Sequence, residues 1–132
     1  MMAKVCPELK LRFLWIATGY MLVALVLFLS LTSNPVDTGL SFPYEDKLYH
    51  AFAYFTLMFW FSQIYHDSFQ RNMIAVVFIF MGFMLEYLQS FDPKRFAELG
   101  DMAANTAGVV LGYLLASGSA KNILHRIEKA LF

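Results

Sequence analysis

The feature that most constrains this chain is a run of 21 residues, 13–33, that contains no charged side chain. A helix rises 1.5 Å per residue, so a run of this length spans about 30 Å, the thickness of the hydrocarbon core of a bilayer. Asn34 and Pro35 end the run. Basic residues precede it, as in a signal peptide. However, the run is longer than a typical signal core, and no small-residue cleavage site follows it. It therefore predicts an uncleaved first membrane span.

Three further apolar runs predict three more spans. They cover residues 48–65, 73–89 and 102–117, and all four prolines of the chain fall outside the runs. Because proline breaks helices, this agreement supports the boundaries. The expected fold is all-α: a four-transmembrane-helix bundle with a short amphipathic C-terminal helix, forming one domain over residues 1–132.

The tail, residues 120–132, has a pattern of its own. Apolar residues repeat there at helical spacing, while four polar residues occupy the other side: Lys121, His125, Glu128 and Lys129. This pattern predicts a short amphipathic helix that lies on the membrane surface.

Composition excludes several classes of protein. The chain is 59% hydrophobic and only 15% charged, and ten Lys and Arg residues balance ten Asp and Glu residues. A nucleic-acid-binding protein would carry a basic excess, so no nucleic-acid partner is expected. The aromatic content of 17% excludes a disordered chain, and the single cysteine excludes a disulfide framework or a cysteine-based zinc site.

The basic residues predict an orientation. Seven of the ten lie in the N-terminal segment, between spans two and three, or in the tail, whereas Lys47, Lys94 and Arg95 lie on the other side. Cytoplasmic segments carry the excess of Lys and Arg, so both termini are expected in the cytoplasm. The loops at residues 34–47 and 90–101 then face outward.

Polar side chains gather at the predicted outer ends of the spans. Asp46, His50 and Tyr54 are spaced by four and share one helix face. The remaining members of this group are Lys47, Glu86, Gln89, Arg95, Asp101 and Asn105. Ionisable groups within spans are costly and are usually paired or functional. We therefore expect these side chains to face a common pocket, with Glu86 held by Arg95 or Lys47.

Each of these residues also has a purely structural interpretation. Asp46 and Asp101 lie where a first helical turn or an N-cap favours a carboxylate. Lys47 can extend to lipid headgroups, and His50 can be a hydrogen-bonded histidine of the bundle. Glu86 is the hardest to explain in this way, because an apolar run cannot leave a carboxylate charged and unpaired.

A stripe of small residues predicts close helix contact. Ala104, Gly108 and Gly112 recur every four residues in the fourth run. Such stripes let helices approach closely in lipid, which would hold the polar groups together.

Two motifs resemble the VanZ-like family of small bacterial membrane proteins. The first, residues 46–55, is similar to the family pattern D-K-x-x-H-x-x-x-Y-F. The second is similar to E-x-x-Q-x-F-x-P-x-R followed by D-x-x-x-N-x-x-G, and here consists of Glu86, Gln89, Phe91, Pro93, Arg95, Asp101, Asn105 and Gly108. The two motifs span residues 46–112, about half of the chain.

The resemblance implies a four-span bundle in the bacterial cytoplasmic membrane and a role in the cell envelope. It also implies a link to antibiotic resistance, because the family takes its name from a gene of glycopeptide-resistance clusters associated with teicoplanin resistance. It implies no particular molecular function.

Two functions stay open on these residues. In the first, the outer cluster binds a membrane lipid, a lipid-linked envelope precursor or another membrane protein, and the ligand-binding residues are Lys47, Gln89, Arg95, Asn105 and Tyr54. In the second, the protein is a membrane-embedded enzyme acting on a lipid-linked or lipid-phosphate substrate, and the catalytic candidates are Glu86, His50, Asp46 and Asp101.

No cofactor is expected. Asp46, His50, Glu86 and Asp101 would offer hard oxygen and nitrogen ligands, but only one histidine lies on that side, so we expect no metal. A transporter or channel is disfavoured, because one four-span copy lacks internal repeats.

Overall fold

A computed structural model describes residues 9–31, 45–91, 99–117 and 123–131. Its elements are five helices, and the described ranges contain no strand element. The helices are α1 (Arg12–Leu31), α2 (Glu45–Ile64), α3 (Ser68–Gln89), α4 (Leu99–Ser117) and α5 (Ile123–Leu131). The all-helical prediction is confirmed.

Helix α3 begins before the apolar run that predicted it. Asp67 is its N-cap, with an extended backbone, and the Asp67 carboxylate accepts a hydrogen bond from the backbone N–H of Gln70 at 3.3 Å. An N-cap carboxylate satisfies a donor that the helix start would otherwise leave unpaired. Residues 68–72 therefore form the start of a helix, whereas the apolar run at 73–89 had placed them in the loop between spans two and three.

Helices α2 and α4 form the closest contact of the bundle. A Cβ atom built on Gly108 would lie 2.2 Å from the backbone oxygen of Ala51, and one built on Gly112 would lie 2.8 Å from that of Phe55. No larger residue fits at such distances without moving a helix. The predicted close packing along the small-residue stripe is confirmed for these two glycines.

The described helices carry their large apolar side chains outward. Exposed examples occur on every one of α1 to α4, among them Phe28, Phe52, Phe80 and Leu114. The buried set includes an apolar core of Leu57, Met58, Phe61, Phe78 and Val109. It also includes the polar residues Ser62, Gln63, Glu86, Gln89, Asp101 and Asn105.

Two of the helices are long and apolar enough to cross a membrane, judged by length and composition: Arg12–Ser30 and Ser68–Gln89. Helices α2 and α4 do not meet the same criterion. The reason lies in their sequences, since α2 begins with three charged residues and α4 carries Asp101 and Asn105.

Helix α5 packs at the end of the bundle where α1 begins and α2 ends. Leu124 forms a small buried cluster with Leu9 and Ile64. The backbone N–H of Ile123 donates to the side-chain oxygen of Gln63 at 2.7 Å. We call this end the α5 end, and the opposite end the polar end.

The expectation that Glu128 faces the polar side of the tail helix is wrong. Glu128 is only 3% exposed. Its carboxylate accepts hydrogen bonds from the backbone N–H groups of Lys10 (2.5 Å) and Leu11 (2.7 Å) and from the indole N–H of Trp15 (2.6 Å). Helix periodicity indicates which residues share a face. It cannot show that backbone N–H groups at the start of another helix lie beside one of those residues.

Candidate functional site

Three side chains able to act as acid, base or metal ligand meet at the polar end. They are His50 of α2, Glu86 of α3 and Asp101 of α4, and their nitrogen and oxygen atoms lie within 4.8 Å of one another. Glu86 is 1% exposed and Asp101 is 5% exposed, while His50 is partly buried. Residues far apart in the sequence, on three helices, therefore form one cluster, which we call the polar cluster.

One helical turn deeper, the same three helices form a second layer. It consists of Tyr54 of α2, Gly82 of α3 and Asn105 of α4, each four residues from its partner in the first layer. A Cβ atom on Gly82 would lie 3.2 Å from the Asn105 amide nitrogen, so the glycine leaves room for that amide.

This second layer contains unsatisfied polar atoms. The Tyr54 hydroxyl and the Asn105 carbonyl oxygen are buried and have no hydrogen-bond partner among the described residues. Buried polar groups are nearly always paired, and each exception needs an explanation. A ligand or ion within the polar cluster would provide one.

A third layer closes the site from below. Met58, Phe78 and Val109 follow at the next turn of α2, α3 and α4, and all three are buried in the apolar core. The apolar core therefore separates these polar groups from the middle of the bundle.

Lys47 lies at the polar end, beside Asp101. Its ammonium lies 3.4 Å from an Asp101 carboxylate oxygen, and its side chain is 26% exposed. Its aliphatic stem crosses Gly100, where a Cβ atom would lie 2.6 Å from the Lys47 Cε atom. The glycine thus lets the lysine lie across the start of α4.

Glu86 and Asp101 bring two carboxylates into the cluster, with ligand oxygens no more than 4.8 Å apart. At that separation two unit negative charges repel by about 3.5 kcal/mol at an effective dielectric constant of about 20. Lys47 and the positive end of the α4 helix dipole offset part of such a repulsion near Asp101, which lies in the first turn of α4.

The other predicted site residues have different surroundings. Gln89 is buried, and its amide donates to the backbone oxygen of Ser30 at 2.6 Å, which ties the end of α3 to α1. Asp46 lies in the first turn of α2, but its side chain is outside the described residues, as is the whole of Arg95. The predicted contact between Glu86 and Arg95 therefore stays a prediction.

An open apolar groove runs beside the polar layers. It has a volume of about 740 Å³. Its lining residues are Phe83, Met102, Ala103, Thr106, Ala107, Val110 and Leu111. Phe83 and Met102 directly follow Gly82 and Asp101, so the groove begins near the depth of the polar cluster and continues along α4 to Leu111.

Sequence reasoning missed Gly82 as a site-forming residue. The available signal was its place in the middle of an apolar helix, four residues before Glu86, because an interior glycine often marks a close approach. The role of Glu128 had no comparable signal, since its partners include backbone groups about 117 residues away.

Fold and cluster together define a small all-helical protein with a buried acid and histidine site at one end of a bundle. The family model of VanZ/LLP1 matches residues 13–124, and the chain belongs to this family. Searches of curated proteins and of solved structures found no match.

Proposed function

We propose that all four long helices cross the bacterial cytoplasmic membrane. The supporting observation is the inverted distribution of side chains, with large apolar residues exposed on α1 to α4 and carboxylates and amides buried between them. In water this arrangement would expose far more apolar surface than a soluble monomer tolerates. Helices α2 and α4 have modest hydropathy because their polar residues face the interior.

The orientation follows from the basic residues, with both termini in the cytoplasm and the polar end outside. Single cysteines at Thr38 and Phe96, in a Cys6→Ser background, test it. Both should react with a membrane-impermeant maleimide in intact cells. Labelling only after the cells are broken would contradict this topology.

We propose further that the protein serves the cell envelope by binding the headgroup of a membrane lipid or lipid-linked precursor in the polar cluster. The observation that carries this is the polar cluster beside an apolar groove, which matches the two halves of an amphiphile. Lys47 at the polar end suits a phosphate, and the acceptor-rich interior suits hydroxyl groups.

This function can be tested by measuring the lipid that the purified protein retains. Asn105→Leu removes a buried acceptor at nearly constant size and should strip the co-purifying lipid seen by native mass spectrometry. Asn72→Leu is the matched control, because Asn72 is exposed near the α5 end. Equal lipid retention by both variants would contradict headgroup binding at this site.

A second candidate is an enzyme acting on a lipid-linked or lipid-phosphate substrate. The observation in its favour is the mutual distance of His50, Glu86 and Asp101, which suits proton transfer between a carboxylate and an imidazole. In that case Glu86→Gln should retain the lipid but stop its conversion. If wild type and variant return the same unaltered lipid after incubation, the binding function is favoured.

The family resemblance predicts a role in teicoplanin resistance. Deletion of the gene should lower the teicoplanin concentration that inhibits growth, and wild type, but not Glu86→Gln, should restore it. Unchanged teicoplanin susceptibility after deletion would contradict a role in resistance.

A further inference from the structure

We propose that the polar cluster binds one divalent metal ion through His50, Glu86 and Asp101, with the carbonyl oxygen of Asn105 as a fourth ligand. This inference stands apart from lipid binding, because it depends only on side chains of the chain itself. It also departs from the sequence expectation that a single histidine argues against a metal.

The distances suit an ion. Metal–ligand bonds of about 2.0–2.2 Å place neighbouring ligand atoms of one ion about 3.0 to 3.6 Å apart. The three candidate ligand atoms lie within 4.8 Å of one another, so each must move by at most about 0.8 Å to lie at bonding distance from a shared ion. Rotation of His50, which is partly exposed, can supply part of that movement.

The charge of the site also favours a cation. Two carboxylates lie close together above the buried apolar core, and the Lys47 ammonium lies 3.4 Å from an Asp101 carboxylate oxygen. A divalent ion between the carboxylates would replace mutual repulsion by attraction to a shared charge.

The independent evidence comes from the second layer. Asn105 is 3% exposed and Tyr54 is 2% exposed, and each presents an oxygen without a hydrogen-bond partner among the described residues. Asn105 lies one turn below Asp101 and faces Gly82, which lies one turn below Glu86. Its oxygen can ligate the ion directly, while the Tyr54 hydroxyl can bind a metal-bound water.

The ligand set indicates the class of ion. Oxygen ligands alone suit Mg²⁺ and Ca²⁺, whereas imidazole suits transition metals. One imidazole with carboxylate and amide oxygens therefore points to Mn²⁺ or Zn²⁺.

Direct binding to the full-length protein in lipid nanodiscs tests the site. After removal of metal with a chelator, Mn²⁺ should bind at one ion per chain, measured by electron paramagnetic resonance. Electron spin-echo measurements on the bound Mn²⁺ should also show modulation from the ¹⁴N nucleus of the His50 imidazole. Zn²⁺ should compete for the same site.

Three variants should each weaken Mn²⁺ binding about tenfold or more: His50→Gln, Glu86→Gln and Asp101→Asn. His66→Gln is the matched control, since His66 is exposed near the α5 end and should leave both affinity and ¹⁴N modulation unchanged. Helix content by circular dichroism confirms that each variant is folded.

The proposal is overturned if wild type fails to bind Mn²⁺ or Zn²⁺ at millimolar concentration. It is also overturned if folded His50→Gln keeps the ¹⁴N signal, or if His66→Gln loses it. Lipid retention by the metal-free protein is a separate readout, so headgroup binding and metal binding can fail independently.

Discussion

Glu86 at the polar end and Glu128 at the α5 end are almost equally buried, with 1% and 3% exposure, but their surroundings are opposite. Glu128 receives two backbone N–H groups and an indole N–H within 2.7 Å. Glu86 shares its site with a second carboxylate and an imidazole. Burial alone therefore does not indicate the role of a carboxylate.

Glu128 acts as a helix cap supplied from a distant part of the chain. The first N–H groups of a helix lack partners within it, and the positive end of the helix dipole favours an anion there. By accepting at the start of α1, Glu128 fastens α5 to the bundle. A carboxylate with this many donors contributes to stability and is not available for chemistry.

Glu86 lies close to a second carboxylate, that of Asp101, with ligand oxygens within 4.8 Å. Replacing buried charged groups by well-packed apolar side chains is often neutral or stabilising, so such groups are weak evidence for a role in stability. The polar cluster thus has the character of a site whose groups are held in place by packing, above all by the contact of α2 with α4.

The largest effect is expected from disturbing the contact between α2 and α4, which should affect the polar end and leave the α5 end intact. Gly108→Val places side-chain atoms where the Ala51 backbone oxygen lies, so α2 and α4 must move apart. We expect a loss of about 3 kcal/mol in the free energy of unfolding. Mn²⁺ binding should be lost as well, while α5 stays docked to α1.

Thermal unfolding in detergent measures this effect, and protease protection of α5 reports its docking. Ala107→Val on the exposed side of α4 is the matched control and should behave as wild type. A stable Gly108→Val protein would mean that the close contact does not support the polar end.

The next largest effect is a difference in stability between the variants Glu128→Gln and Glu86→Gln. Glu128→Gln should lower the free energy of unfolding by about 2 kcal/mol, because hydrogen bonds to a charged acceptor are lost and an amide N–H group faces other donors. Glu86→Gln should change it by less than about 1 kcal/mol without added metal, because it also removes repulsion from Asp101. Chemical or thermal denaturation of both variants measures the difference. The reverse order of stabilities would refute the assignment of roles.

The smallest effect is a pH dependence confined to the α5 end. Burial opposes ionisation of Glu128, but the N–H groups of Leu11 and Lys10, the Trp15 indole and the nearby His125 together lower the pKa of this carboxyl below its ordinary value of 4.5. The folded state therefore favours the ionised form. Its contribution to stability is complete above pH 4.5 and is lost as the pH falls through the lowered pKa.

Tryptophan emission should report this loss, because the Trp15 indole donates to Glu128. Wild type should show a transition below pH 4.5, and Glu128→Gln should lack it. A transition of equal size in the variant would assign the change to another group.

Much of the polar cluster could be predicted from the sequence because its residues repeat at helical spacing. Asp101 with Asn105, and His50 with Tyr54, are pairs within one helix, and the glycine stripe predicted a close helix contact of α4 without indicating that α2 is the partner. The pairing of Lys47 with Asp101 and that of Gln89 with Ser30 join separate helices, so no local pattern could indicate them.

The sequence by itself determined the helices, their approximate limits, the apolar surface and the family, because these depend on local composition and periodicity. The tertiary structure alone decided what surrounds each buried carboxylate. Glu128 and Glu86 both lie on helices with apolar neighbours, and periodicity cannot distinguish them. The difference arises from what faces each one across the bundle: free N–H groups at the start of α1 in one case, and Asp101 with His50 in the other.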